Sequence, residues 1–178
     1  LRLLMAEPVR PEGQSHIATM RADAELGADI DPRGLPSTAA GTFLLTGANG
    51  FLGVHVLRDL LVRGAREVLC AVRAADVHTA EHRLAEALRR YGVDLCAERV
   101  HVIPADIAAP DLGLKAAHHR QFARRVSSIV HCAAQVDWAS PYEHLRSVNV
   151  EATRNLLRFA CTTTAKDFHF VSDRKSVV

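Results

Sequence analysis

The stretch TFLLTGANGFLGVHVLRDLLV, Thr42 to Val62, decides how this chain folds. Thr42 to Thr46 is a short apolar run of strand length. From Val54 onward, Val54, Leu57, Leu60 and Leu61 recur at helical spacing, and Gly64 stands at the usual position of a helix-ending glycine. Between the two lies Gly47-Ala48-Asn49-Gly50-Phe51-Leu52-Gly53, a GxxGxxG turn. Three glycines joining a strand to a helix predict a tight turn, a close backbone approach and close helix–strand packing.

Working outward, the same alternation of strand and helix repeats. Glu67 to Val72 predicts a second strand, nearly all apolar, as expected for a strand covered on both faces. Val77 to Tyr91 predicts a helix with Leu84, Leu88 and Tyr91 on one face. Arg99 to Ala105 predicts a third strand, Ala116 to Arg125 a weaker helix, and Ser128 to Cys132 a fourth strand. Leu145 to Cys161 predicts a long helix striped by Leu145, Val148, Ala152, Leu156 and Phe159, and Asp167 to Ser172 a fifth strand. Strands alternating with helices imply right-handed crossovers and a parallel sheet. The expected fold is α/β, a Rossmann-type doubly wound parallel sheet with five of the six strands that a two-half dinucleotide fold requires. Residues 1–40 hold Pro8, Pro11, Pro32 and Pro36 and read as a linker, with a short helix over Met20 to Leu26 bounded by Gly27 and Pro32.

Composition excludes several classes. The chain has 178 residues, 48% of them hydrophobic, enough for one core. Lys and Arg number 22 against 20 Asp and Glu, so no basic footprint supports nucleic-acid binding. No apolar run approaches the roughly 18 residues of a membrane span, and no signal-peptide order opens the chain. A soluble, cytoplasmic chain without membrane contact is expected. Cys70, Cys96, Cys132 and Cys161 form no CxxC or CxxH pair, so no metal site is expected, and Cys70 and Cys132 sit in apolar runs where cysteine is a small buried hydrophobe.

The glycine turn in its strand–helix setting predicts a dinucleotide site, with the pyrophosphate on the free N–H groups of the helix. An NAD-specific site places an Asp or Glu at the end of the second strand. Here that strand ends in Arg73, whose planar fork can pair with a 2′-phosphate, and the nearest acid is Asp76 in the next element. Arg83 either covers the same pocket or is a solvated helix charge. Asp106-Ile107 either meets an adenine amino group or opens a turn with Pro110. Cys132-Ala133-Ala134 puts small residues where a cofactor runs close to backbone, and Asn149 is a polar residue that can bind a neighbouring backbone group.

These blocks resemble the extended short-chain dehydrogenase/reductases. LLTGANGFLGVHVLRDLL, AVRAADVHTAEHRLAEALRRYG, ADIAAPDLGL, VHCAAQVDWASPYEHLRSVNVEATRNLL and FHFVS are similar, more closely, to the thioester reductase domains that end nonribosomal peptide and polyketide synthases. The same blocks resemble carboxylic acid reductases and, more distantly, fatty acyl-CoA reductases. MRADAELGADIDP, Met20 to Pro32, resembles the segment joining a carrier domain to such a reductase. The resemblance implies cofactor contacts at Gly47, Asn49, Gly50, Phe51, Leu52, Gly53, Arg73, Arg83, Asp106, Ile107, Cys132, Ala133, Ala134 and Ser172. Ala105, Cys132 and Ala152 depart from the family's commoner glycine, asparagine and glycine.

It further implies an NADP(H)-dependent release of an acyl or peptidyl thioester, held on a phosphopantetheinyl carrier domain, as an aldehyde or alcohol. The family's Tyr-x-x-x-Lys is expected beyond the fifth strand, and nothing here supplies it: Tyr91 is followed by Leu95 and Tyr142 by Arg146. The chain is thus expected to hold no catalytic residue and to be inactive alone. A noncatalytic NADP-binding sensor of the same superfamily and a fatty acyl-CoA reductase are the alternative readings. Asp173 to Val178 breaks the strand pattern and matches a translated sequencing-adapter start, so this tail is expected to be non-native and the reductase part to span residues 41–172.

Overall fold

Leu44 and Leu45 are neighbours in sequence yet belong to different cores, because side chains alternate across a strand. They lie in β1 (Thr42–Thr46), the central strand of a parallel sheet. The structure, a computed structural model, describes residues 12–172. β2 (Glu67–Val72) and β4 (Ser128–His131) flank β1, and β3 (Val100–Pro104) and β5 (Asp167–Phe170) form the two edges, giving the order β3-β2-β1-β4-β5. Thr46 pairs in register with Ala71 on one side and His131 on the other.

Helices cover both faces, as the doubly wound expectation requires. On one face α2 (Phe51–Val62) and α3 (Val77–Arg90) bury Leu57, Leu61 and Leu84 against Leu45, Val68 and Cys70. On the other, α4 (Ala116–Arg125) and the α6 helix (Ala152–Ala160) bury Ala123, Leu156 and Phe159 against Leu44, Leu69 and Ile129. The chain winds outward from β1 to β3, then returns to lay β4 beside β1. That reversal is the switch point at whose carboxyl end such folds bind ligands.

The ends of α3, β3 and β4 fall one residue inside the expected ones, and three other elements differ more. The N-terminal helix α1 spans Glu12–Asp23 rather than Met20 to Leu26. Arg154 Nη2 takes the carbonyl oxygens of Ala22, Asp23 and Glu25, which ends the helix at Asp23. The long helix starts earlier, at α5 (Tyr142–Arg146), and passes through a π turn at Ser147–Glu151 before α6. Leu145 and Val148 accordingly line clefts at the end of the sheet, while Ala152, Leu156 and Phe159 stay in the core. β5 stops at Phe170, with one further bond from Val171 N to His131 O at 3.0 Å. The tail 173–178 and residues 1–11 of the linker lie outside the described residues.

Leu45 is 0% exposed at the centre of its core, so Leu45→Ala should destabilise the fold by about 2–5 kcal/mol. Urea unfolding should show the loss as a lower midpoint at unchanged slope.

Candidate functional site

The carboxyl ends of β1 and β4 are held in backbone contact by glycine. Gly47 has φ +70°, in the left-handed region, and a Cβ there would lie 2.7 Å from Ala133 N and 2.9 Å from the Cys132 carbonyl carbon. A Cβ on Gly53 would lie 1.9 Å from Gly47 O, so the first turn of α2 packs directly on the loop. Gly50 differs: its φ is −90°, and a Cβ would meet only Gly47 O, at 3.2 Å. Gly50 N closes the turn on Gly47 O at 2.9 Å. Gly50 is the N-cap of α2 and no side chain caps it, which leaves the first N–H groups of a 12-residue helix facing an unobstructed approach. This cradle fits a pyrophosphate.

Gly47, Asn49, Arg73, Asp106, Ile107 and Ala133 come together around a cleft of about 120 Å³. Arg73 leaves the end of β2 exposed to solvent, with the Arg83 guanidinium donating to its carbonyl oxygen. Arg83 does not line the cleft; it braces the backbone of the residue that does. The next acid in sequence, Asp76, is occupied as the N-cap of α3, accepting from Thr79 N at 2.7 Å, and that bond holds its carboxyl below the usual range. Asp106 Oδ1 accepts from Ala108 N at 3.0 Å, so the residue both forms the turn and borders the cleft.

A second cleft of about 460 Å³ shares Ala133 with the first and is lined also by Ala134, Gln135, Asn149, Phe170 and Ser172. The side chains of Phe51 and Cys132 line neither cleft. Phe51 sets its ring edge-on to His55 and Tyr91, at 5.2 and 5.5 Å, against the end of α3. Cys132 is half-buried against the core under α2 and lines neither cleft. Leu52 is exposed in the first turn of α2. Among the described residues no cluster of His, Cys, Asp or Glu could hold a metal ion, and no helix is long and apolar enough to cross a membrane.

Three residues that sequence reasoning passed over position these loops. Asn155 Nδ2 donates to the carbonyl oxygens of Ile107 and Ala109, both at 3.1 Å, fastening the Asp106 turn to α6. His131 is 1% exposed between Thr46 Oγ1, 2.7 Å from Nδ1, and Thr153 Oγ1, 3.2 Å from Nε2. Thr153 donates to Asn149 O at 2.8 Å, so it accepts from an Nε2–H. Nδ1 then accepts from Thr46, whose oxygen accepts the Ala133 N–H at 3.3 Å. One neutral tautomer links both strands to α6, and burial pushes the His131 pKa down to about 4. A polar residue ending an apolar strand was the available signal; its partners, far off in sequence, were not legible.

Comparison with known proteins gives this geometry its relatives. Residues 45–178 match the NAD-binding family described as Male sterility protein. Isonitrile lipopeptide synthase of Streptomyces coeruleorubidus is 41% identical over 92% of this chain and 11% of its own length. Nonribosomal peptide synthetase asaC of Aspergillus flavus is 36% identical over 89% of this chain and 16% of its own. Among solved structures, the terminal R domain of the myxalamid PKS-NRPS pathway superposes with a TM-score of 0.82 at 34% identity, covering 87% of this chain and 41% of that one. The reductase (R) domain of a Mycobacterium tuberculosis nonribosomal peptide synthetase gives 0.68 at 36% identity, covering 88% and 40%. The chain therefore spans less than half of the proteins it matches.

Gly53→Ala should cost about 1–3 kcal/mol, since its Cβ would overlap backbone, whereas Gly50→Ala should shift stability by less than about 1 kcal/mol. Chemical unfolding of the two variants checks the contrast. His131 adds a pH dependence. Its folded pKa of about 4 lies below the ordinary histidine value of 6.5, so the unfolded chain binds the extra proton between them. Stability from this group is fully present above about 6.5 and is lost as pH falls toward 4, roughly 3 kcal/mol in all. Subtracting the pH–stability profile of His131→Gln from that of the unaltered chain should isolate this rise.

Proposed function

Because this chain belongs to the NAD-binding family described as Male sterility protein, we propose that it is the cofactor-binding half of an NADPH-dependent thioester reductase. The reaction is the reductive release of an acyl or peptidyl thioester from a phosphopantetheinyl carrier domain as an aldehyde. Likeness to the R domains of a PKS-NRPS pathway and of a nonribosomal peptide synthetase supports the reaction class. The observation that carries the cofactor choice is Arg73 on the cleft at the end of β2, with Asp76, the acid that next follows it in sequence, consumed as a helix cap.

The residues divide the work. The uncapped start of α2, at Gly50 to Gly53, holds the pyrophosphate, and Asn49 borders it. Arg73 pairs with the 2′-phosphate, braced by Arg83. Asp106 and Ile107 receive the adenine, and Ala133, Ala134 and Ser172 leave room along the nicotinamide side. When bound, such a dinucleotide supplies a hydride for the thioester carbonyl carbon; the thiol leaves and an aldehyde is released. No Tyr in the sequence has a Lys four residues on, so this chain by itself binds cofactor without turning substrate over. Its setting is the cytoplasm, beside the carrier domain.

Calorimetric titration should show NADPH binding at least about tenfold tighter than NADH, the value of one charge-assisted pair near solvent. Arg73→Ala should erase the preference without altering the unfolding midpoint. Equal affinities for the two dinucleotides in the unaltered chain would overturn the NADP(H) assignment, and aldehyde formed from a carrier thioester by this chain would overturn its inactivity.

A further inference from the structure

Asp23 lies far in sequence from the residues that line the clefts, within the Met20–Pro32 segment, yet its side chain is only 7% exposed. Its Oδ2 accepts from Tyr142 Oη and Arg146 Nε, both at 2.7 Å, and its Oδ1 from Arg146 Nη2 at 2.6 Å and Arg154 Nη1 at 3.3 Å. Glu151 Oε1 completes the cluster at 2.7 Å from Arg146 and 3.5 Å from Arg154, so two carboxylates meet two guanidinium groups. From Asp23 the chain runs along α6 as a strap. Asp29 pairs with Arg158, and Pro36 O accepts from Ala165 N at 3.0 Å beside the Ser37–Ala165 bridge.

The helix under the strap carries an irregularity that this cluster requires. Arg146 and Arg154 are eight residues apart, which in a regular α-helix leaves them roughly 80° off a common line. The π turn at Ser147–Glu151, closed by Ala152 N on Ser147 O, accommodates one extra residue and brings both arginines onto one carboxylate. The same turn carries Asn149. Its Oδ1 accepts from Gln135 N at 2.8 Å and its Nδ2 donates to Gln135 O at 2.9 Å, pinning the loop that edges the larger cleft. If the turn relaxed to α, everything before it would rotate by roughly 100° relative to α6. Asn149 and the two arginines could not then both keep their partners.

We propose that Asp23 is a positioning residue: by docking the strap it selects the π register of the helix, and through Asn149 it sets the Ala133–Gln135 edge of the cleft. The consequence for cofactor rests on the dinucleotide reading above; the mechanical link does not. Docking and binding are then coupled in both directions.

The test is amide exchange by NMR on the unliganded chain, followed by NADPH titration. Asp23→Ala should free the amides of residues 24–31 and speed exchange at the Gln135 amide at least threefold, with NADPH affinity falling severalfold. Asp23→Glu should restore part of both effects. Asp29→Ala, which cuts only the Arg158 pair beyond the π turn, should leave Gln135 unchanged. An Asp23→Ala chain whose strap is released while Gln135 exchanges as before overturns the inference, as does a strap that stays protected. If NADPH fails to bind the unaltered chain while Gln135 still responds to Asp23→Ala, the cofactor reading fails and the positioning role stands. Should Asp23→Ala not fold, Arg154→Lys is judged by the same criteria, since it keeps the charge but loses the fork on the strap carbonyls.

Discussion

The close approach of two loop backbones at the switch point constrains everything built around it. β1 and β4 are neighbours in register, and their continuations, Gly47 and Cys132–Ala133, touch where a side chain would need to stand. Because the chain returns from β3 to place β4 there, the two loops leave the sheet side by side. Their contact gives the smaller cleft a wall of backbone, with Gly47 and Ala133 in its lining. α2 can start where it does only because Gly53 yields to Gly47 O. The glycines thus act at different levels: Gly47 and Gly53 make the architecture possible, whereas Gly50 leaves open the space before the helix.

Elements set by local pattern were legible in the sequence. The spans of β1, β2 and α4 match the expected ones residue for residue, since each is an apolar run or stripe bounded by glycine, charge or proline. The expected fold follows from the order of those elements. The gathering of the glycine turn and strand-end residues at one end of the sheet was legible for the same reason, because a motif places them by short-range spacing. Arg73, Asp106 and Ala133 line one cleft together.

What was not legible depends on partners distant in the chain. The helix end at Asp23 is set by Arg154, and the π turn satisfies Asp23 and Gln135 together; no window of sequence contains both ends of either relation. Phe51 shows the converse. Its place in the turn follows from the motif, but the packing of its ring on Tyr91 and His55 does not. Arg83 likewise supports Arg73 rather than lining the cleft, a role that spacing along α3 allows but does not select.

Burial separates the two sets of residues. Those facing the cleft with chemistry to offer, Asn49, Arg73 and Asp106, are exposed and owe little of their position to their own side-chain bonds. Those holding the loops, Thr46 and His131, are buried, and among the described residues no buried side-chain nitrogen or oxygen lacks a partner. A fully satisfied buried network is rigid because breaking one bond strands a polar group away from water, a cost of about 1–3 kcal/mol. An exposed arginine at a strand end has no such penalty. Arg73 can therefore change with the scaffold intact, whereas a change at His131 must disturb β1, β4 and α6 at once, since its ring is bonded to Thr46 and Thr153 from its own strand.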